Sequence, residues 1–182
     1  MKSEKSKFLD ECYDRVYSGD TTVFEECFTP DYTLTIPETQ LMTESGFLKG
    51  KFAVEFLSHI IMNDDKKFDR TIETVREVEQ DNLVVREILY TMKKNPNKPT
   101  DMKDNDYPPN MKVTIRLLTL YKFRGGKICE EFTTYNLLGT ELDFAQGDLK
   151  KAVAKILKME PILKEGRAKL AKGELPGPPN PS

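Results

Sequence analysis

The chain has 182 residues, of which 38% are hydrophobic, and this is enough for one domain with a single core. Its 28 basic and 30 acidic residues give a net charge of −2, which argues against a dedicated nucleic-acid-binding domain. No apolar run approaches the ~20 residues that a membrane span needs, so the sequence predicts no transmembrane helix.

The termini and the cysteines indicate a cellular location. No apolar segment follows the charged residues 2–7, so we expect no secretory signal. Cys12, Cys27 and Cys129 are widely spaced and odd in number, which fits neither a disulfide framework nor a zinc site. The sequence therefore predicts a reducing, cytoplasmic location, buried thiols, and no metal or cofactor.

The first third of the chain has the three- and four-residue apolar spacing of amphipathic helices. A first helix is predicted to end before Gly19, and a short second helix ends at Pro30, since proline cannot continue a helix. A strand over residues 31–37 follows. After a polar loop, a third helix is predicted over residues 47–62.

From residue 71 the apolar period changes to two, which is typical of strands. Strands are predicted over residues 71–79, 83–93, 111–123 and 127–136, and Gly125 and Gly126 form the last hairpin turn. Residues 94–110 form a long loop rich in proline, of the kind that is often functional.

The C-terminal part departs from this pattern. Residues 147–172 are predicted to form an amphipathic helical extension with an apolar stripe at Leu149, Val153, Ile156 and Leu157. Residues 173–182 contain four prolines and are expected to be extended or disordered. The domain itself is predicted to span residues 1–146.

Three short motifs in this order resemble one protein family. They are the helix–Gly–Asp–helix start over residues 17–32, the turn and Val-Val-Arg strand over residues 81–86, and the glycine-turn hairpin over residues 123–132. Together they are similar to the SnoaL-like (polyketide cyclase-like) branch of the nuclear transport factor 2-like superfamily. The resemblance implies an α+β fold, with a cone-shaped curved antiparallel sheet wrapped around three N-terminal helices, and here a C-terminal helical extension.

The resemblance also implies an apolar pocket with a few polar groups pointing into it. In SnoaL-like and epoxide-hydrolase relatives, a catalytic aspartate follows the aromatic residue of the last strand, and the matching positions here are Thr134 and Asn136. The epoxide-hydrolase pattern would place a second aspartate at Ile88, beside Arg86. We therefore expect the pocket to lack the usual catalytic carboxylate.

That expectation depends on the register of the last strand. Strict alternation places Ile128, Glu130 and Phe132 on the inner face with Thr134 and Asn136. A slip of one residue would exchange the faces and make Glu131 the inward carboxylate. Both registers remain open at this stage.

The remaining polar residues give further candidates. Glu131 or Glu87 is a candidate base, and Tyr90 is a candidate catalytic donor to an oxyanion. Candidate ligand-binding residues share a polar or aromatic group near the expected pocket: Tyr32, His59, Arg86, Tyr121, Phe132, Thr134 and Asn136. The structural alternatives are core tyrosines, cross-strand ion pairs on the outer face of the sheet for Arg86, Glu87, Arg116 and Glu131, and a structural histidine.

The sequence leaves three alternative functions. The first is a pocket protein that binds an apolar, polyketide- or terpenoid-like small molecule without the usual carboxylate. The second is a non-catalytic interaction or assembly subunit that uses the C-terminal extension and the 94–110 loop. The third is an isomerase, dehydratase or cyclase with a glutamate base.

Partners are predicted from the central strand, which is apolar on both faces. We expect a homodimer through the outer face of the sheet, and the C-terminal helix is a second surface for a protein partner. We expect an apolar small molecule in the pocket and no nucleic-acid partner.

Overall fold

The computed structural model describes residues 2–37, 47–65, 68–97, 111–136 and 145–154, with the short stretches 139–140, 143, 168–169 and 172. The predicted polar loop before Gly46, most of the 94–110 loop and the 173–182 tail lie outside the described residues, as does most of the extension beyond residue 154. Within the described residues, no helix is long and apolar enough to cross a membrane.

Three helices and six strands make up the described domain. The helices are α1 (Glu4–Tyr17), α2 (Val23–Cys27) and α3 (Gly50–Asp65). The strands are β1 (Phe28–Thr35), β2 (Phe47–Lys49), β3 (Phe68–Gln80), β4 (Leu83–Lys94), β5 (Lys112–Arg124) and β6 (Lys127–Tyr135). Residues 149–154 are also helical. The predicted α+β class is confirmed.

The strands form one open sheet in the order β2-β1-β6-β5-β4-β3. All neighbours are antiparallel except β1 and β6, which are parallel, so the predicted antiparallel sheet is in detail a mixed one. No hairpin joins β1 to β6, because α3 and the β3–β5 meander lie between them in the chain. Nothing therefore forces these two strands to run in opposite directions.

The third helix begins later than predicted because a short strand precedes it. Phe47 and Lys49 pair with Thr35 and Thr33 of β1, so residues 47–49 extend the edge of the sheet. Gly50 has a φ of +59°, a value that favours glycine. This residue turns the chain from the strand into α3.

Gly125 and Gly126 make the predicted tight turn between β5 and β6. Their φ angles are +59° and +79°, as a two-residue hairpin turn of this type requires. This part of the prediction is confirmed. The turn sets the register at the start of β6, where Arg124 pairs with Lys127.

A β-bulge in β6 decides which of its side chains point inward. Ile128 pairs with Phe123, but Glu130 already pairs with Lys122, so Cys129 is an extra residue in the ladder. Glu131 is consequently turned to the inner face, where it is only 5% exposed, and Phe132 points outward with 42% exposure. The strict alternation assumed from the sequence is therefore wrong beyond the bulge.

The helices pack on the inner face of the sheet and divide the core in two. One cluster joins α1, α2 and α3 to β1 and the start of β6, and it includes Leu9, Phe28 and Phe56. The other lies toward the far end of the sheet around Phe68, Met92 and Val113. A cavity lies on the same inner face and is lined by residues of both clusters.

Candidate functional site

The interior cavity has a volume of about 340 Å³ and is lined by α1, α3 and the inner faces of the strands. Its wall is mostly aliphatic, and Leu57, Ile61, Ile88 and Leu117 are representative. An apolar hollow with a few convergent polar groups is the usual form of a small-molecule site. The polar residues in its wall are Tyr17, Asp64, Tyr90, Thr119, Tyr121, Glu131, Thr133 and Tyr135.

Glu131 is the acidic centre of one end of this cavity. Its Oε2 accepts hydrogen bonds from the hydroxyls of Tyr13 and Tyr32, the latter at 2.7 Å. The Thr133 hydroxyl lies 3.1 Å from Oε1 and 3.0 Å from the Thr119 hydroxyl, and its single proton serves one of them at a time. Oε1 therefore keeps acceptor capacity.

Burial changes the acid–base properties of this group. Desolvation raises the pKa of Glu131, and the hydrogen bonds from Tyr13, Tyr32 and Thr133 oppose that shift without cancelling it. The pKa of Tyr13 and of Tyr32 is raised by burial and then by the charge of Glu131, so both hydroxyls remain protonated donors. A raised pKa makes this carboxylate a stronger base than an exposed glutamate.

Tyr121 is the direct cross-strand neighbour of Glu131. The two residues pair between β5 and β6, and both line the cavity. Burial raises the pKa of Tyr121, and the charge of Glu131 raises it further, which keeps the phenol protonated. The cavity therefore presents a carboxylate acceptor and a phenol donor side by side.

Tyr90 lies in another part of the cavity wall. Its hydroxyl donates a 2.7 Å hydrogen bond to Oδ2 of Asp64, at the end of α3. Burial raises the pKa of Tyr90 and the Asp64 carboxylate raises it again. Tyr90, Tyr121 and Glu131 are thus three predicted site residues that the fold brings to one cavity.

Tyr32 has a supporting position. It is fully buried on β1 and reaches Glu131 through its hydroxyl, but it is not among the residues that line the cavity. Tyr32 therefore orients the Glu131 carboxylate through its hydrogen bond and does not line the space for a ligand.

Arg86 is committed to the fold, contrary to the predicted ligand-binding role. It is 4% exposed, and its guanidinium binds Glu77 at 2.6 Å, Asp10 at 2.9 Å and the backbone carbonyl of Ser6 at 2.7 Å. These contacts attach α1 to β3 and β4. Arg86 lines an adjoining polar groove of about 770 Å³, which shares Tyr17, Ile72, Ile88 and Tyr121 with the apolar cavity, but it does not line the cavity itself.

Glu87 points to the other side of the sheet. It forms an ion pair with Arg116 of β5 and lies 3.5 Å from Arg76 of β3. The alternation of β4 that turns Arg86 inward necessarily turns Glu87 outward. Glu87 is therefore a cross-strand ion-pair residue, and its proposed role as an interior base is wrong.

The remaining predicted ligand-binding residues do not line the cavity. Phe132 and Thr134 follow the bulge and face outward, and Asn136 is exposed beyond the end of β6. The Asn136 side chain instead accepts a hydrogen bond from the backbone of Gly139. His59 is half-buried on α3 and is also not among the residues that line the cavity.

Sequence reasoning missed several polar residues of the site, among them Tyr13, Tyr17, Asp64, Thr119 and Thr133. Tyr13 falls on the apolar stripe of α1 and has no local mark of a role. Thr119 and Thr133 are cross-strand partners, so they become visible only once the register of β5 and β6 is known. Among the described residues, no three His, Cys, Asp or Glu side chains converge as a metal site would need.

The comparisons with known proteins support the fold. Neither protein-family models nor curated protein sequences give a match to this chain. Among solved structures, it is similar to IdmH of Streptomyces antibioticus, a candidate polyketide cyclase, with a TM-score of 0.58 and 14% identity. That match covers 79% of this chain and 99% of the other.

Two further structures agree. A candidate SnoaL-like polyketide cyclase from Jannaschia sp. CCS1 has a TM-score of 0.52 and 14% identity, covering 80% of this chain and 96% of that one. An NTF2-like protein of unknown function from Burkholderia pseudomallei has a TM-score of 0.51 and 12% identity, covering 74% and 92%. The chain therefore has the cone-shaped fold of the SnoaL-like, nuclear transport factor 2-like proteins.

Proposed function

We propose that this protein binds an apolar small molecule in the interior cavity and that Glu131 exchanges a proton with it. The observation that carries the proposal is the burial of Glu131 in the wall of an otherwise largely aliphatic cavity of about 340 Å³. An acid left there without a function would be costly, since burial of a carboxylate is unfavourable unless it is paired or protonated. The sequence expectation of a pocket without a carboxylate is replaced by this proposal.

The geometry favours removal of a proton from a carbon next to a carbonyl group. Glu131 Oε1 would accept the proton as the C–H bond breaks, and the electron pair would move to the carbonyl oxygen. Tyr121, paired with Glu131 across the strands, would donate a hydrogen bond to that oxygen. Return of the proton to another atom of the ligand completes an isomerisation. In a cyclisation, the enolate carbon would instead form a bond to the carbon of a second carbonyl group, whose oxygen would take the electron pair and then the proton from Glu131.

The solved relatives fit this class without defining it. Two of the three structures described above are named as candidate polyketide cyclases. Fold alone does not carry function, so the argument depends on Glu131 and its neighbours. The proposed substrate class is an apolar ketone.

The proposal can be tested by deuterium exchange into a simple apolar ketone. The purified protein is mixed with 2-tetralone in D₂O, and the α-proton signals are followed by NMR. Wild-type protein should accelerate the exchange over buffer, and Glu131→Gln should lose about 100-fold of that acceleration, as is typical of a general base. Glu130→Gln, exposed on the outer face, is the matched control and should behave as wild type.

Two results would contradict the proposal. One is exchange at the buffer rate with wild-type protein, and the other is a Glu131→Gln variant as active as wild type. Native mass spectrometry of the protein from its own source adds a direct search for a retained ligand.

We also propose that the protein forms a homodimer through the outer face of the sheet. Leu118 and Phe132 are 51% and 42% exposed there. The half-buried Leu120 pairs with Phe132 on one side and with the half-buried Val85 on the other. An apolar patch of this kind usually marks an interface. The Lys122–Glu130 ion pair at 2.8 Å lies beside it, so a second copy could cover the patch without stranding an unpaired charge there.

The role of an interaction subunit is the second candidate. Leu149 and Val153 on the described helical segment 149–154 are 56% and 41% exposed, which favours a protein partner for the extension.

The cavity is not filled by the core aromatics. Phe24 and Phe56 do not line it, and Phe132 lies on the other face of the sheet. This open cavity favours the small-molecule function over a purely structural one.

A further inference from the structure

The cavity has a second polar group in addition to the Glu131 network. Asp64, near the end of α3, accepts the 2.7 Å hydrogen bond of Tyr90, and both residues line the cavity. The cavity wall beside them includes the buried apolar residues Phe68 and Met92. The ion-paired Arg70 and Asp65 also lie close enough to act on Tyr90. A carboxylate and a phenol in such a wall are well placed to bind a polar atom of a ligand.

The sheet register separates this pair from Glu131. Tyr90 pairs with Ile115 on β5, and Glu131 pairs with Tyr121 on the same strand, six positions further on. At about 3.3 Å per residue, their backbones lie roughly 20 Å apart along the strand, and both side chains reach into the cavity between them. Leu117 lines the wall in the interval.

We propose that Asp64 and Tyr90 form a second subsite that takes a hydroxyl group at the far end of the ligand. The ligand would then be an elongated apolar molecule with a carbonyl or phenol at the Glu131 end and a hydroxyl at the Asp64 end. Asp64 can accept a hydrogen bond from that hydroxyl, and the same carboxylate would repel a ligand anion. This inference rests on the proposed small-molecule function and narrows the substrate class to molecules with polar groups at both ends.

The test uses three related probes and measures binding through their own fluorescence. The probes are 4-hydroxybiphenyl, 4,4′-dihydroxybiphenyl and 4′-hydroxybiphenyl-4-carboxylate. Wild-type protein should bind the dihydroxy probe about tenfold more tightly than the monohydroxy probe, since one hydrogen bond to a charged group contributes about that much. The carboxylate probe should bind most weakly of the three.

Variants then locate the effect. Asp64→Asn and Tyr90→Phe, which keep the shape of the side chains, should each reduce the preference for the dihydroxy probe to about threefold or less. Asp69→Asn is the control, because this exposed residue contacts Asn95 and is not among the residues that line the cavity. It should leave the tenfold preference unchanged.

The outcomes separate the two proposals. If wild-type protein binds neither phenol, the small-molecule function fails and the subsite fails with it. If both phenols bind with equal affinity, or if Asp64→Asn and Tyr90→Phe keep the full preference, the subsite is wrong while the proposed function stands.

Discussion

Tyr32 on β1 donates a 2.7 Å hydrogen bond to Oε2 of Glu131 on β6, although 99 residues separate them in the chain. The contact exists because β1 and β6 are parallel neighbours in the sheet and the β6 bulge turns Glu131 inward. Tyr13 reaches the same oxygen from α1. The acidic group of the cavity is therefore held by a helix and by two strands, which fixes its position before any ligand arrives.

Removal of the Tyr32 hydroxyl should reduce the stability of the fold and raise the pKa of Glu131. In Tyr32→Phe, Glu131 loses a donor that favours its charged form, so its pKa should rise further. The loss of a hydrogen bond to a charged group should reduce the free energy of unfolding by about 1.5–3 kcal/mol at neutral pH. Urea denaturation measures the stability, and NMR of the labelled side-chain carboxyl measures the pKa. An unchanged Glu131 pKa would show that the hydrogen bond is not formed in solution.

The pKa of Glu131 also predicts how stability depends on pH. Because the folded pKa lies above the ordinary value of 4.5, unfolding releases a proton at pH values between the two. The free energy of unfolding of wild type relative to Glu131→Gln should thus be highest below pH 4.5, fall as pH rises, and level off above the folded pKa.

Comparison of the two proteins isolates this group. Other carboxyl groups have the opposite effect. Hydrogen bonds from nearby donors lower the pKa of the surface residues Asp20, Glu26, Asp31 and Glu79, so the stability that they contribute is lost as pH falls. They are present in both proteins and cancel in the difference. A difference that rises with pH would mean that Glu131 is stabilised as an anion.

Much of this fold follows from local patterns in the sequence. The helical spacing of α1, the alternation of β4 and β5, and Gly125–Gly126 each predict their element, because each depends on residues close together in the chain. The short strand β2 was not predicted, since three residues have no period to recognise.

The functional site was harder to predict because it depends on one inserted residue. The extra Cys129 in the β6 ladder exchanges the faces on which Glu131 and Phe132 lie. A cysteine at that position does not predict a bulge, so the exchange cannot be predicted from the sequence. Tyr13 and Asp64 reach the cavity from helices whose approach to the sheet is a tertiary property. The sequence could therefore list Glu131 as an alternative but could not choose it.

Arg86 should matter for stability rather than for ligand binding. Arg86→Met would remove the buried cation that Glu77 and Asp10 share at the junction of α1 with the sheet, leaving Glu77 with the Ser6 hydroxyl and Asp10 with Lys2. We expect a loss of about 2–3 kcal/mol, below the roughly 3–5 kcal/mol of a fully buried pair because both carboxylates retain contact with water. Arg116→Met is the control, since its 67% exposed side chain should contribute less than about 1 kcal/mol. Equal losses in urea denaturation would contradict the structural role of Arg86.

The outer-face homodimer gives the last prediction. Leu118→Lys places a charge in the centre of the exposed patch. Dimer formation would have to remove that charge from water, which is unfavourable, so the monomer–dimer equilibrium should shift toward the monomer. Thr114→Lys adds the same charge on the same strand, four residues away and already exposed, and should leave the assembly unchanged. Sedimentation equilibrium measures both variants beside wild type. A wild-type protein that is monomeric at high micromolar concentration, or a Leu118→Lys variant that remains dimeric, would show that this face is not the interface.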